Sequence, residues 1–300
     1  MYSVETSNLC HRFANQDVLR NVSMQVPTGS IYGFLGPNGA GKTTTLRLIL
    51  GLLKKQQGEL SVFGKRLERE RIAILRNVGS MIESPSLYDH LSAAENLRVV
   101  QLIHRCPETR IRDVLELVGL ASTGKKRVKQ FSLGMRQRLA IAVTLLHQPS
   151  LIILDEPTNG LDPAGIIEIR KLLIELNQRH DCTIVVSSHL LSEIDKVATH
   201  VGILGRGRLL FQGTIEELRR QRQQVLSIQL STSDNDAALR AIAEEGIPAQ
   251  LIDGAVVLPA LPNAQIAALN RRLTARDLDV YEIRAVRNDL ETIFLDLIDG

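Results

Sequence analysis

The chain has 300 residues, 44% of them apolar and 23% charged, and a formal net charge of +3. That length suggests two domains and is ample for a core without staples. Three scattered cysteines, Cys10, Cys106 and Cys182, exclude a disulfide framework or a CxxC zinc site, no apolar run nears the ~18 residues of a membrane span, and the opening MYSVETSNL does not read as a secretory signal.

Charge divides unevenly along the chain. Residues 225–300 carry six basic and twelve acidic side chains, a net of −6, whereas residues 1–224 carry thirty and twenty-one, a net of +9. Such asymmetry suggests separate partners for the two parts. With no Trp and 3% aromatics, a base-stacking platform is not expected, and neither is a nucleic-acid partner.

In chain order, the first continuous apolar run is IYGFL (31–35), followed by a helix in TTTLRLILGLL. Residues 84–148 are mainly helical, clearest over 93–104 and 108–120, and read as an insertion. LIIL (151–154), TIVVS (183–187) and VGIL (201–204) are further apolar runs, as strands buried on both faces of a parallel sheet require. Between them Ile166, Ile169, Leu173 and Leu176 share one helical face, with Asp162 as N-cap and Pro163 at the first position. This alternation predicts an α/β domain over 1–218. The polar, basic stretch 215–224 marks a junction. Beyond it, 219–300 reads as βαββαβ, a small α+β unit of ferredoxin-like order, closed by a helix over 289–298.

The strongest chemical signal is Gly36, Pro37, Asn38, Gly39, Ala40, Gly41, Lys42, Thr43, with Thr44 following. It matches GxxxxGK[ST] between a strand and a helix, the context in which backbone N–H groups converge on phosphate. Lys42 would reach the β- and γ-phosphates and Thr43 a magnesium ion. The second signal is Asp155–Glu156, two carboxylates ending an apolar strand. Alone, such a pair is a common surface feature. Beside the loop, it gives Asp155 for magnesium and Glu156 as general base toward water. The third, Ser132, Leu133 and Gly134 at a helix start, and the fourth, His189 after a strand, would each pass for capping and structure if isolated.

In this order the four signals resemble the ATP-binding cassette family, as the ATPase subunit of a transporter, over residues 1 to about 215. The resemblance implies a P-loop NTPase cassette with a parallel-sheet core and a helical subdomain at about 84–148, binding ATP and Mg2+. It implies Lys42 as the Walker A lysine, Asp155 and Glu156 as Walker B, Ser132, Leu133 and Gly134 as the signature meeting ATP in trans, Asp162 as the D-loop and His189 as the switch histidine. It also implies that Phe13 stacks on adenine, a role its own context would not suggest. A second protomer, as a homodimer, and separate membrane permease subunits follow, with the chain peripheral at the cytoplasmic face of the membrane. Two positions depart from the common pattern: Leu133 replaces a signature glycine, and Glu83 stands where most members carry glutamine, as a further metal ligand. Glu83, the FSLGM signature and the C-terminal appendage are similar to the branch that exports peptide antibiotics such as bacitracin and lantibiotics. Export of lipid, polysaccharide or ions by similar cassettes, and a non-transport ATPase, remain alternatives on the sequence alone.

Overall fold

The structure is a computed structural model. It describes all residues except 84–86, 222–224, 288–293, 295–296 and 299–300, together with the side chains at 180, 221, 225, 226 and 287. The chain opens on β1 (Tyr2–Phe13), β2 (Gln16–Val22) and β3 (Gln25–Pro27), then β4 (Ile31–Leu35) and α1 (Lys42–Ile49). Next come β5 (Gln57–Val62), β6 (Lys65–Arg66), α2 (Leu67–Leu75) and β7 (Val78–Met81). The helical stretch holds α3 (Ala93–His104), α4 (Thr109–Leu117) and α5 (Leu133–Leu145). After it, β8 (Leu151–Leu154), α6 (Pro163–His180), β9 (Thr183–Ser188), α7 (Leu191–Ile194), β10 (His200–Gly205), β11 (Arg208–Thr214) and α8 (Ile215–Gln221) follow. The chain continues through β12 (Val225–Thr232), α9 (Asn235–Ala243), β13 (Gln250–Ile252), β14 (Ala255–Pro259), α10 (Asn263–Thr274) and β15 (Val280–Arg287).

Among the described residues the central sheet runs β11-β10-β4-β9-β8-β7. Its pairs from β10 to β7 are parallel, and only the β10–β11 hairpin is antiparallel. Every residue of β4, β8 and β9 is buried, which is why these strands are continuous apolar runs and not alternating ones. Parallel register puts their carboxyl ends on one edge: Leu35 pairs Ser188, and Leu154 pairs Val186. The loops after β4, β8 and β9 therefore open together, where open α/β sheets place ligands.

A second sheet, β2-β1-β5-β6 with β3 also on β1, is antiparallel. Sequence reading missed it. β1 mixes buried and exposed positions irregularly, and its pairing with β2 slips on either side of His11. Such bulges break the period-two pattern on which a strand assignment rests. In the helical stretch, Ser92 and Glu95 form a capping box at the start of α3, as an S-x-x-E sequence favours.

The chain divides into two compact units, one of residues Met1–Glu217 joined by the described terminal residues Phe294, Leu297 and Ile298, the other of Leu218–Ile293. The second has the sheet order β13-β14-β12-β15, antiparallel throughout, with a core of Ile228, Leu230, Val256, Leu258, Ile242 and Leu269. That is the split βαβ order the sequence suggested. Most of the helix expected over 289–298 lies outside the described residues, but Phe294 is helical and buried.

Candidate functional site

The loop 36–41 leaves β4 pressed against β10: a Cβ on Gly36 would stand 2.3 Å from the Leu204 carbonyl oxygen. Gly41 has φ 107°, outside the reach of ordinary side chains. It hands the chain to α1, whose first turn has no side-chain cap and no acidic residue. The leading N–H groups of this helix therefore have no side-chain cap and can meet an anion, and the helix end carries partial positive charge. Lys42 is 6% exposed, and its Nζ donates to the Gly36 carbonyl oxygen at 2.7 Å.

Two carboxylates face this loop from the end of β8. Asp155 is buried and accepts hydrogen bonds from Thr43 Oγ1 at 2.7 Å and from Ser187 Oγ at 2.5 Å. Glu156 lies between Lys42 and His189. One oxygen is 3.1 Å from Lys42 Nζ, and the other is 2.9 Å from His189 Nδ1. The backbone of Glu156 is left-handed, φ 47°, a strain of about 1 kcal/mol for a side chain of this size. Its N–H donates to Ser187 Oγ at 2.9 Å, which holds that conformation. Ser187 thus fixes both acids, a part that sequence reading did not assign it.

The fit of a divalent cation rests on the Thr43–Asp155 pair. A hydroxyl and a buried carboxylate 2.7 Å apart are hard oxygen donors of the kind magnesium takes. Glu83 is placed differently. It is exposed, with φ 64°, and its carboxylate pairs with Arg47 of α1 and not with Thr43 or Asp155.

Ser132 caps α5, accepting from the Met135 N–H at 3.3 Å, and Asp162 caps α6, accepting from the Gly165 N–H at 3.1 Å. Both line one cleft of about 510 Å³ with Leu133, Gly134, Gly160 and Leu161. Leu133 is half exposed there. Phe13, at the end of β1, is 45% exposed and meets the His11 ring edge-on at 4.6 Å. His11 is buried, and neither ring nitrogen has a partner among the described residues.

The ABC transporter family model matches residues 19–159, which hold the loop, Asp155 and Glu156. The bacitracin transport ATP-binding protein BcrA of Bacillus licheniformis is 39% identical over 298 residues, 99% of this chain and 97% of that one. The chain belongs to the ABC transporter ATP-binding proteins. The lantibiotic transport ATP-binding protein SrtF of Streptococcus pyogenes is 43% identical over 209 residues, covering 70% of this ABC protein and 90% of its own chain. Among solved structures, an ATP-binding subunit of an ABC transporter is 32% identical with a TM-score of 0.64, over 73% of this chain and 92% of that one. A dimeric ATP-binding cassette in a post-hydrolysis state with ADP and phosphate is 25% identical with a TM-score of 0.64, over 71% of this chain and 98% of that one. ABC ATP-binding subunits bind ATP or ADP, hydrolyse ATP, dimerise and pair with membrane permease components. Among the described residues of this ABC subunit no helix is long and apolar enough to cross a membrane.

Proposed function

We propose that this ABC ATPase drives export of an amphipathic peptide antibiotic through separate permease subunits, from the cytoplasmic face of the membrane. The observation that carries the reading is the end-to-end likeness to BcrA, which extends through the C-terminal unit and is not confined to the cassette. SrtF, whose name also refers to peptide-antibiotic transport, supports it over the cassette.

In this reading the loop 36–44 cradles the triphosphate, Lys42 contacts its terminal phosphates, and Thr43 and Asp155 hold Mg2+. When bound, Mg2+ neutralises charge on the phosphates. Glu156 accepts a proton from the attacking water, and its seat between Lys42 and His189 orients it for that task. His189 then reaches the γ-phosphate as a hydrogen-bond donor. Phe13 covers the adenine. Glu83, once released from Arg47, would supply a further carboxylate ligand to the metal. Two copies pair head to tail, so that Ser132, Leu133 and Gly134 of one face the ATP of the other, with Asp162 beside them. The shared cleft of the two caps supports that last assignment.

The test is complementation. A host lacking this gene but keeping its permease should become more sensitive to bacitracin or a lantibiotic. The intact gene should restore resistance and the Glu156→Gln gene should not. Unchanged sensitivity to all such peptides would remove the substrate assignment and leave the ATPase.

A further inference from the structure

In the unit Leu218–Ile293, one edge strand is left open. β15 pairs with β12 on one side and with no strand on the other among the described residues. Five consecutive residues, Tyr281 to Ala285, are exposed, Tyr281 at 69% and Ile283 at 37%. Open edges are usually blunted by proline, lysine, a bulge or shortness. β15 spans eight residues and contains neither proline nor lysine; its pairing with β12 slips at both ends, between Val280 and Glu282 and between Val286 and Arg287, which leaves Glu282–Val286 as its regular stretch. The opposite edge, β13, has only three residues.

The sequence of this edge reads as its own complement. Over Val280–Val286, VYEIRAV, antiparallel pairing with a second copy about Ile283 sets Ile283 against Ile283. It also sets Glu282 against Arg284, within the stretch that pairs regularly with β12. Directly opposed residues share a face and come within about 5 Å at Cβ. Register with β12 separates the faces. Ile283 and Ala285 pair with the core residues Leu230 and Ile228, while Glu282 and Arg284 pair with Ser231 and Gln229. In the paired strands Ile283 and Ala285 would extend the apolar side, and two Glu282–Arg284 pairs would form on the polar side. Neither Glu282 nor Arg284 has an ion-pair partner among the described residues of its own chain.

We infer that the β15 edge is a homodimer contact, joining two copies of this chain into one continuous antiparallel sheet by twofold pairing about Ile283. The contact is isologous, so it closes at two copies and leaves no further edge of this kind. It needs no nucleotide, which separates it from pairing across ATP. A peptide strand from another protein could use the same backbone edge, but it would have no reason to match this charge order.

The experiment uses the full chain without nucleotide and with a chelator, so that no ATP sandwich forms. Sedimentation velocity across a dilution series should show a dimer. Glu282→Arg places arginine opposite arginine twice, and Arg284→Glu places glutamate opposite glutamate twice. Each should raise the dimer dissociation constant about tenfold or more. The double variant Glu282→Arg, Arg284→Glu restores opposite charges and should recover the dimer. These positions are exposed, and circular dichroism checks that each variant folds. Independently, Ile283→Cys should form an intermolecular disulfide under mild oxidation, because the twofold puts the two Cα atoms within disulfide range. The wild type, with Cys10, Cys106 and Cys182, should not. A nucleotide-free monomer, a dimer indifferent to both single reversals, or a double swap that fails to recover the dimer would each overturn the inference.

Discussion

Oε2 of Glu156 lies 2.9 Å from Nδ1 of His189, while its other oxygen is held 3.1 Å from Lys42 Nζ. A general base must be fixed in direction, and partners on opposite oxygens serve that need. Glu156→Gln keeps the shape and removes the base. The rate constant for ATP hydrolysis should fall at least about 100-fold with ATP affinity retained, and ATP should trap the variant as a dimer. Single-turnover hydrolysis with size analysis measures both, and near-normal turnover would remove Glu156 as the base.

Ser187 acts through the two acids. It donates to Asp155 and accepts from the backbone of Glu156, whose φ of 47° needs support. Ser187→Ala should lower kcat about tenfold, in the range seen when an outer hydrogen bond to a metal ligand is lost. KM for ATP should change little, and the magnesium requirement should rise. Ser187→Thr keeps the hydroxyl and should recover most of the rate. A general structural role would predict equal damage to kcat and KM and no rescue.

How far the sequence foretold this arrangement depends on how local each signal is. Lys42, Thr43 and Gly41 were legible because a phosphate loop is one short segment whose spacing encodes its geometry. Asp155 was legible because β8 is buried on both faces, so two acids at its end are conspicuous. Ser187 was not, because its importance arises from register: β9 lies between β4 and β8, and serine in an apolar strand has no pattern of its own. Arg47 was missed for a similar reason, since only the folded loop brings Glu83 to it. The antiparallel first sheet was missed because bulges around His11 spoil its alternation.

Stability should fall on mild acidification, and two histidines give the sign. Burial lowers the His11 pKa from its usual 6.5. His147 is also lowered, by burial first and then by the charge of His104 stacked 4.3 Å away, although its hydrogen bond to the Val78 carbonyl oxygen opposes this. Both hold a proton less readily in the fold than in the unfolded chain, which takes up protons as pH drops below about 6.5. Their stabilising contribution is therefore complete above that pH and is lost as pH falls toward the lower folded values. Melting temperatures at pH 7.5 and 5.5 should show the drop. His11→Phe and His147→Gln should each shrink it, and an undiminished drop in both would assign it to other groups.

The isolated cassette offers a test of the boundary near residue 218. Phe294 is buried at 8% exposure and groups with the first unit, although 76 residues of the second unit precede it in the chain. A chain ending at Leu218 should fold, because the sheet cores lie within it, but should melt below the full protein. Phe294→Ala in the full chain should cost about 3 kcal/mol, the loss expected for a buried phenylalanine. Chemical denaturation of all three measures this. Equal stability of the wild type and Phe294→Ala would show that the returning residue is not anchored.

Glu83 separates a metal ligand from a surface ion pair. Its carboxylate pairs with Arg47, with side-chain exposures of 64% and 35%. Exposed pairs contribute about 0–1 kcal/mol, so neither Glu83→Gln nor Arg47→Ala should shift stability much. Their effects on activity should differ. If Glu83 leaves Arg47 to join Thr43 and Asp155 around magnesium, two carboxylates share the ion, and their repulsion is tolerated only while it is present. Glu83→Gln removes one charge and keeps an oxygen donor. It should retain substantial ATPase activity and need similar or higher magnesium for half-maximal rate. Glu83→Ala removes the donor and should be worse. Arg47→Ala frees Glu83 from its surface partner and should lower the magnesium concentration for half-maximal rate. Magnesium titrations of the wild type and the three variants, each with and without permease, distinguish the cases. Identical curves throughout would leave Glu83 as the partner of Arg47 and nothing more.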